Sequence, residues 1–94
     1  MIIAKVVGNI WATRKEEALV GRKLMIVQPA QLTGEITGEC FVAVDAVDAG
    51  IGDTVLVATG SGARKSPGQE NSPIDASIVA IIDIHEVQRS GGKA

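Results

Sequence analysis

The stretch 40-CFVAVDAVDAGIGDTVLVATGSGAR-64 holds two short aliphatic runs, 40–47 and 54–59, separated by six residues that include Gly50 and Gly52. Glycine takes positive φ without steric penalty, so 48-DAGIGD-53 reads as a tight reversal between two strands. The same grammar of short apolar runs and turn residues extends in both directions, as an all-β barrel or sandwich requires. Ile and Val together number 22 against four Leu. Side chains branched at Cβ are stiff at χ1 and favour strands over helices.

Upstream, 2-IIAKVVGNIWAT-13 alternates. Ile2, Ala4, Val6, Gly8, Ile10 and Ala12 share the face that reads as core. Ile3, Lys5, Val7, Asn9, Trp11 and Thr13 share the half-exposed one. Gly8 in mid-strand predicts a bend or bulge where a long strand must curve. The polar stretch 14–22 links to 23-KLMIVQPA-30, which ends or lies at an edge at Pro29 because proline lacks an N–H. Residues 33–39 form a turn or loose tip. Downstream, 60–72 is a long irregular loop, and Pro73 begins a short helical turn across 74–77 with Ser72 as its cap. The last strand, 78-IVAIIDIHEV-87, is almost continuously apolar and therefore central, and the tail 88–94 is loose. The reading is all-β: a small five-stranded, OB-like antiparallel β-barrel with one short helical turn, a single domain over 1–87 followed by the tail.

Ninety-four residues bury only about 60–65% of the unfolded surface. Yet 46% of this chain is hydrophobic, and part of that surface belongs between subunits. A net charge of −2 argues against a nucleic-acid footprint, which needs a basic face. The aromatic side chains on which single strands stack are reduced to Trp11 and Phe41. The lone Cys40 forms no internal disulfide and fits a reducing cytoplasm. No apolar run nears the ~20 residues of a membrane span, and the N-terminus lacks the order of a signal peptide.

Chemistry is hard to find. In 58-ATGSGARKSPG-68, a phosphate loop ending at Lys65-Ser66 needs glycines at 59 and 64, where Thr59 and Arg64 stand. A dinucleotide fingerprint needs glycine at Lys65. The only histidine, His85, lacks the partners of a catalytic triad, and one His with one Cys makes no zinc site. Asp45 and Asp83 interrupt aliphatic strands and must be hydrogen-bonded or reach water. They read as caps of backbone N–H groups, or as contacts across a subunit boundary, rather than as an acid–base pair. No catalytic residue, cofactor or metal site is predicted.

The order of MIIAKVVGNIWATRK, 21-GRKLMIVQP-29, 43-AVDAVDAGIGDTVLVATGSGAR-64 and 73-PIDASIVAIID-83 resembles the EutN/CcmL family of bacterial microcompartment vertex proteins. The family usually has glycine where this chain has Asp48, which puts that loop's contacts in question. The resemblance implies an OB-like barrel that assembles as a homopentamer and caps the corners of a polyhedral shell otherwise tiled by hexameric proteins, in the bacterial cytoplasm. It also implies that Gly60, Ser61, Gly62, Ala63 and Arg64 lie at or near subunit contacts. Asp75 or Asp83 is then the candidate partner for a bidentate Arg64. In a second version of that expectation the loop rings a narrow axial opening and attracts anions. The reading from a different class is an OB-like binding module for single-stranded nucleic acid or a small ligand.

Overall fold

The computed structural model describes residues 1–11, 15, 17–60 and 74–83. Five strands are formed: β1 (Ile2–Asn9), β2 (Leu24–Pro29), β3 (Phe41–Asp45), β4 (Thr54–Thr59) and β5 (Ala76–Ile81). They close into a barrel in the order β1-β2-β3-β5-β4. Closure leaves no sheet edge, which is how so small a β protein avoids pairing with stray strands.

Alternation decides which side chains enter. Ala4 and Val6 of β1, Met25 and Val27 of β2, Ala43 of β3, Val55 and Val57 of β4, and Ala76 and Ile78 of β5 form one buried cluster, with Ile2, Phe41 and Val47 against it. The expected core face of β1 is therefore correct for Ile2, Ala4 and Val6. Ile10 packs instead on a second cluster, outside the barrel wall, with Leu19, Leu24, Val42, Val44 and Ile74. Trp11 is 93% exposed.

The bend expected at Gly8 is present. The β1–β2 register slips between Val6 and Gly8, leaving Val7 as an extra residue opposite Val27 and Ile26. A second slip, between Leu56 and Val57 against Ala80 and Ile78, leaves Val79 extra in β5. Bulges of this kind bend strands and raise their twist, which a five-stranded barrel needs to close.

Two expectations are corrected. β3 and β5 run parallel, Val44 beside Ser77 and Asp45 beside Ile78, so the barrel is not wholly antiparallel. The reversal expected after β3 is present, and because β4 pairs with β1 and β5 it carries the chain across the barrel end. The helical turn lies elsewhere. Ala76 and Ser77 are already strand, and the described residues hold their one 3-10 turn at Glu17–Leu19. There Leu19 is buried over Leu24 and Val44, so tertiary packing outweighs the capping signal at 72–75. Of the two readings of residues 33–39, a turn or a loose tip, the turn is formed. Gly34, at φ +95°, turns the chain, and bonds from Gln31 N–H to Glu35 O (2.8 Å) and Thr37 N–H to Pro29 O (2.9 Å) close a small hairpin.

Candidate assembly site

Two loop systems at the ends of the barrel carry the polar groups singled out in the sequence. At the first, β4 and β5 meet at the pair Thr59–Ala76. Gly60 follows at φ +61°, a left-handed conformation, and its N–H donates to the Asp75 carbonyl at 2.7 Å. The structure thus brings Gly60 and Asp75 together at the root of the long loop. Asp75 is exposed there. Asp83 lies two residues beyond Ile81, at the opposite end of β5, and is also exposed. A six-residue strand separates the two aspartates, roughly 20 Å at the strand rise. Ser61, Gly62, Ala63 and Arg64 lie outside the described residues, as do Lys65 and His85.

The second system is the reversal after β3. The Asp45 side chain is fully buried, and both its oxygens are used. Oδ1 accepts the N–H of Val47 at 3.0 Å, and Oδ2 accepts that of Ala49 at 2.7 Å. Its cap role, expected from its place in an aliphatic strand, is therefore observed. Lys23, just before β2, reaches the same carboxylate at 3.3 Å. Its ammonium also donates to Asp48 Oδ1 at 2.9 Å and to the Ala49 carbonyl at 3.0 Å. Asp48 sits at φ +59°. The position where the resemblance leads to an expectation of glycine does take the left-handed conformation, and Asp is among the few side chains that adopt it at modest cost. The hydrogen bond to Lys23 holds the Asp48 carboxyl below its ordinary range. That bond, reinforced by Asp45 against a smaller desolvation effect, raises the Lys23 ammonium above its own. Gly50 N–H donates to Asp53 Oδ2 at 2.8 Å, and Gly52 turns at φ +96°.

This loop is tied to β1 as well, by Gly52 N–H to Val6 O at 2.8 Å and Val6 N–H to Asp53 O at 3.0 Å. Its tip offers Ile51, 64% exposed, to solvent. Lys23 was the residue that sequence reasoning missed: nothing local marks a lysine at the head of a strand as the clamp of a loop 25 residues away. Cys40 is a free thiol and stands exposed before β3. Among the described residues, no group of three or more His, Cys, Asp or Glu could hold a metal ion.

Asp45, Lys23 and Asp53 fix the geometry of the second loop, and its tip presents Ile51 near the exposed Asp48. The family profile described as ethanolamine utilisation protein EutN/carboxysome matches residues 1–83. A bacterial microcompartment shell vertex protein, GrpN of Rhodospirillum rubrum, is 44% identical over 92% of this chain and 97% of its own length. The carboxysome shell vertex protein CcmL of a Synechocystis species is 45% identical over 88% of this chain and 83% of its own. Among solved structures, CcmL of a Nostoc species superposes with a TM-score of 0.82 at 43% identity, over 88% of this chain and 89% of that one. The pentameric microcompartment shell protein GrpN from R. rubrum does so at 0.77 and 41%, over 88% and 94%. Matched along nearly its whole described length in sequence and in strand order, this chain belongs to the EutN/CcmL family.

Proposed function

We propose that this chain is a structural vertex protein of a bacterial microcompartment shell: five copies close into a ring that fills a corner of a polyhedral shell in the cytoplasm. The observation that carries the reading is the family match over residues 1–83, joined to the shared barrel of a relative that is itself pentameric. The geometry gives it a reason. Six-fold units tile a flat sheet, and a flat sheet does not close. Replacing a six-fold position by a five-fold one introduces the curvature of a corner. A five-membered ring uses head-to-tail contacts, so two unlike faces of each barrel must adhere. The high aliphatic content of a small acidic chain then has a destination.

The flanking partners in this reading are hexameric shell proteins, and neither nucleic acid nor membrane takes part. Within the ring, Gly60 through Arg64 line the subunit boundary, and Arg64 pairs with a neighbour's Asp75 or Asp83. The exposure of both aspartates, at opposite ends of β5, supports either choice. Light scattering over a dilution series tests the ring. The chain is 9.7 kDa, and a closed pentamer scatters near ~49 kDa. A persistent monomer overturns the reading, as does salt-sensitive binding of a polyanion, the mark of the OB-like binding module. Replacing Arg64 with alanine should make the ring dissociate at higher concentration. Equal survival on dilution removes Arg64 from the boundary.

A further inference from the structure

Where β1 and β2 part, the chain leaves a cavity of about 530 Å³. Asn9 and Met25 are the final pair of the ladder, and Ile10 N–H still donates to Leu24 O at 3.0 Å. Beyond that bond the chain departs after Trp11 and returns through the 3-10 turn. Arg22 N–H donates to Leu19 O at 3.0 Å, and Gly21 bends the return at φ +80°. The departing segment supplies Ile10, Trp11 and Lys15 to the lining, and the returning one supplies Val20, Arg22 and Leu24. Two features of this lining stand out. Trp11 and Val20 are large apolar side chains left 93% and 65% exposed. Beside them, the ammonium of Lys15 and the guanidinium of the half-buried Arg22 have no partner among the described residues. Lys23 also borders the cavity, but its ammonium is held by Asp45 and Asp48. Among the described residues, no acidic side chain lines it.

We propose that this cavity binds a small organic acid with a flat apolar body, its carboxylate on Arg22 and Lys15 and its body against Trp11 and Val20. The inference goes beyond the vertex reading and does not depend on it, because every group of the site comes from one chain. Both halves of the lining are needed to select this ligand. A wholly apolar occupant would take Arg22 and Lys15 out of water with no opposite charge beside them, which is costly. A bare inorganic anion would leave Trp11, Ile10 and Val20 without a contact. An acid with an apolar body satisfies both. The indole favours a flat partner, because ring faces and edges pack in offset or edge-to-face arrangements. The guanidinium favours a carboxylate, whose two oxygens match its fork of N–H donors. Size agrees. Small-molecule sites run to about 300–1,000 Å³, mostly apolar with a few placed polar groups.

Trp11 is the single tryptophan of the chain, so one indole N–H resonance reports directly on the cavity. The test follows that resonance while naphthylacetate is titrated into the protein as purified, with native mass read by light scattering on the same samples. Naphthylethanol, which keeps the body without the charge, and acetate, which keeps the charge without the body, are titrated in parallel. Naphthylacetate should shift the resonance saturably, with a Kd of about 1 mM or below. Each of the other two should bind at least ~10-fold more weakly. Arg22→Gln should weaken naphthylacetate by at least ~10-fold, with folding checked by far-UV circular dichroism. If that variant does not fold, Lys15→Gln at an exposed position decides, with a loss of at least ~3-fold. No saturable shift overturns the site. Equal binding of the alcohol overturns the assignment to an acid, and unchanged binding in the folded charge variants overturns the roles of Arg22 and Lys15. A protein of monomer mass that binds naphthylacetate as described supports the site and counts against the vertex reading alone.

Discussion

Asp45 provides the sharpest test of how the reversal after β3 is held. Replace it with alanine, and two backbone N–H groups lose their acceptor at once: Val47, formerly at 3.0 Å, and Ala49, formerly at 2.7 Å. Ala49 is 1% exposed, so water does not readily take over its bond. Leaving a buried donor unsatisfied costs about 1–3 kcal/mol, and the half-buried Val47 N–H falls at the lower end. The two together come to about 2–5 kcal/mol. A chain of this length has a total stability of about 5–14 kcal/mol, so the loss is a large share of it. At roughly 4–8 °C per kcal/mol for a domain this small, the midpoint should fall by at least about 8 °C. The assay is thermal unfolding at one fixed protomer concentration, because association makes the midpoint concentration-dependent. Asp45→Asn separates hydrogen bonding from charge. It keeps one acceptor oxygen and should lose less than half as much. An alanine variant within about 0.5 kcal/mol of the parent, or an asparagine variant equal to the alanine one, refutes the claim that this carboxylate fixes the loop.

Other consequences are more local. Gly52→Ala places a Cβ in open space but at φ +96°, so it should cost about 1–2 kcal/mol by backbone strain alone, read as a lower urea midpoint with an unchanged slope. Met25→Ala empties a site that is 1% exposed at the centre of the barrel and should cost about 2–5 kcal/mol by the same measurement. Ser77 Oγ is buried with no hydrogen-bond partner among the described residues, so Ser77→Ala should be neutral or stabilising by up to about 1 kcal/mol. The Asp48 carboxyl is held low by Lys23, so its share of stability is present above about pH 4 and is lost as pH falls through its lower folded value. Lys23, held high, contributes below about pH 10 and loses that contribution as pH rises through its higher folded value. Unfolding midpoints across pH should show both limbs, and Asp48→Asn should flatten the acid one.

Much of the barrel was legible because period-two alternation dictates which side chains go in. β4 falls on the expected residues, and the slip beside Gly8 was marked by a glycine where a strand had to bend. What stayed hidden was long-range. No local pattern says that β5 will enter between β3 and β4, or that it will run parallel to β3, because that pairing depends on the whole barrel closing. The helical turn was misplaced for a related reason. Ser72, Pro73 and Asp75 make a plausible cap on paper, but the strand pairs Ala58–Ser77 and Thr59–Ala76 claim Ala76 and Ser77, the second half of the expected turn. The turn that does form, at Glu17–Leu19, was signalled only by one leucine in a polar stretch. Of the candidate boundary residues, Gly60 and Asp75 proved to be bonded neighbours, and Asp83 proved to be a strand away.

The departure at Asp48 shows how such a site can drift without losing its shape. The backbone there is left-handed, a conformation that glycine takes freely and most side chains resist. Asp brings a penalty smaller than a branched residue would, and it brings a carboxylate within 2.9 Å of Lys23. Lys23 does not depend on Asp48 for its place, because the buried Asp45 carboxylate and the Ala49 carbonyl already hold it. The cation is therefore held in place without Asp48, which adds one further acceptor to it. The loop's outward product is the same in either case: Ile51 at its tip, and Gly52 and Asp53 bonded to Val6 of β1. The conformation of that loop, rather than the identity of residue 48, sets where Ile51 is presented. A substitution that preserves φ and adds one exposed ion pair is thus compatible with the same assembly.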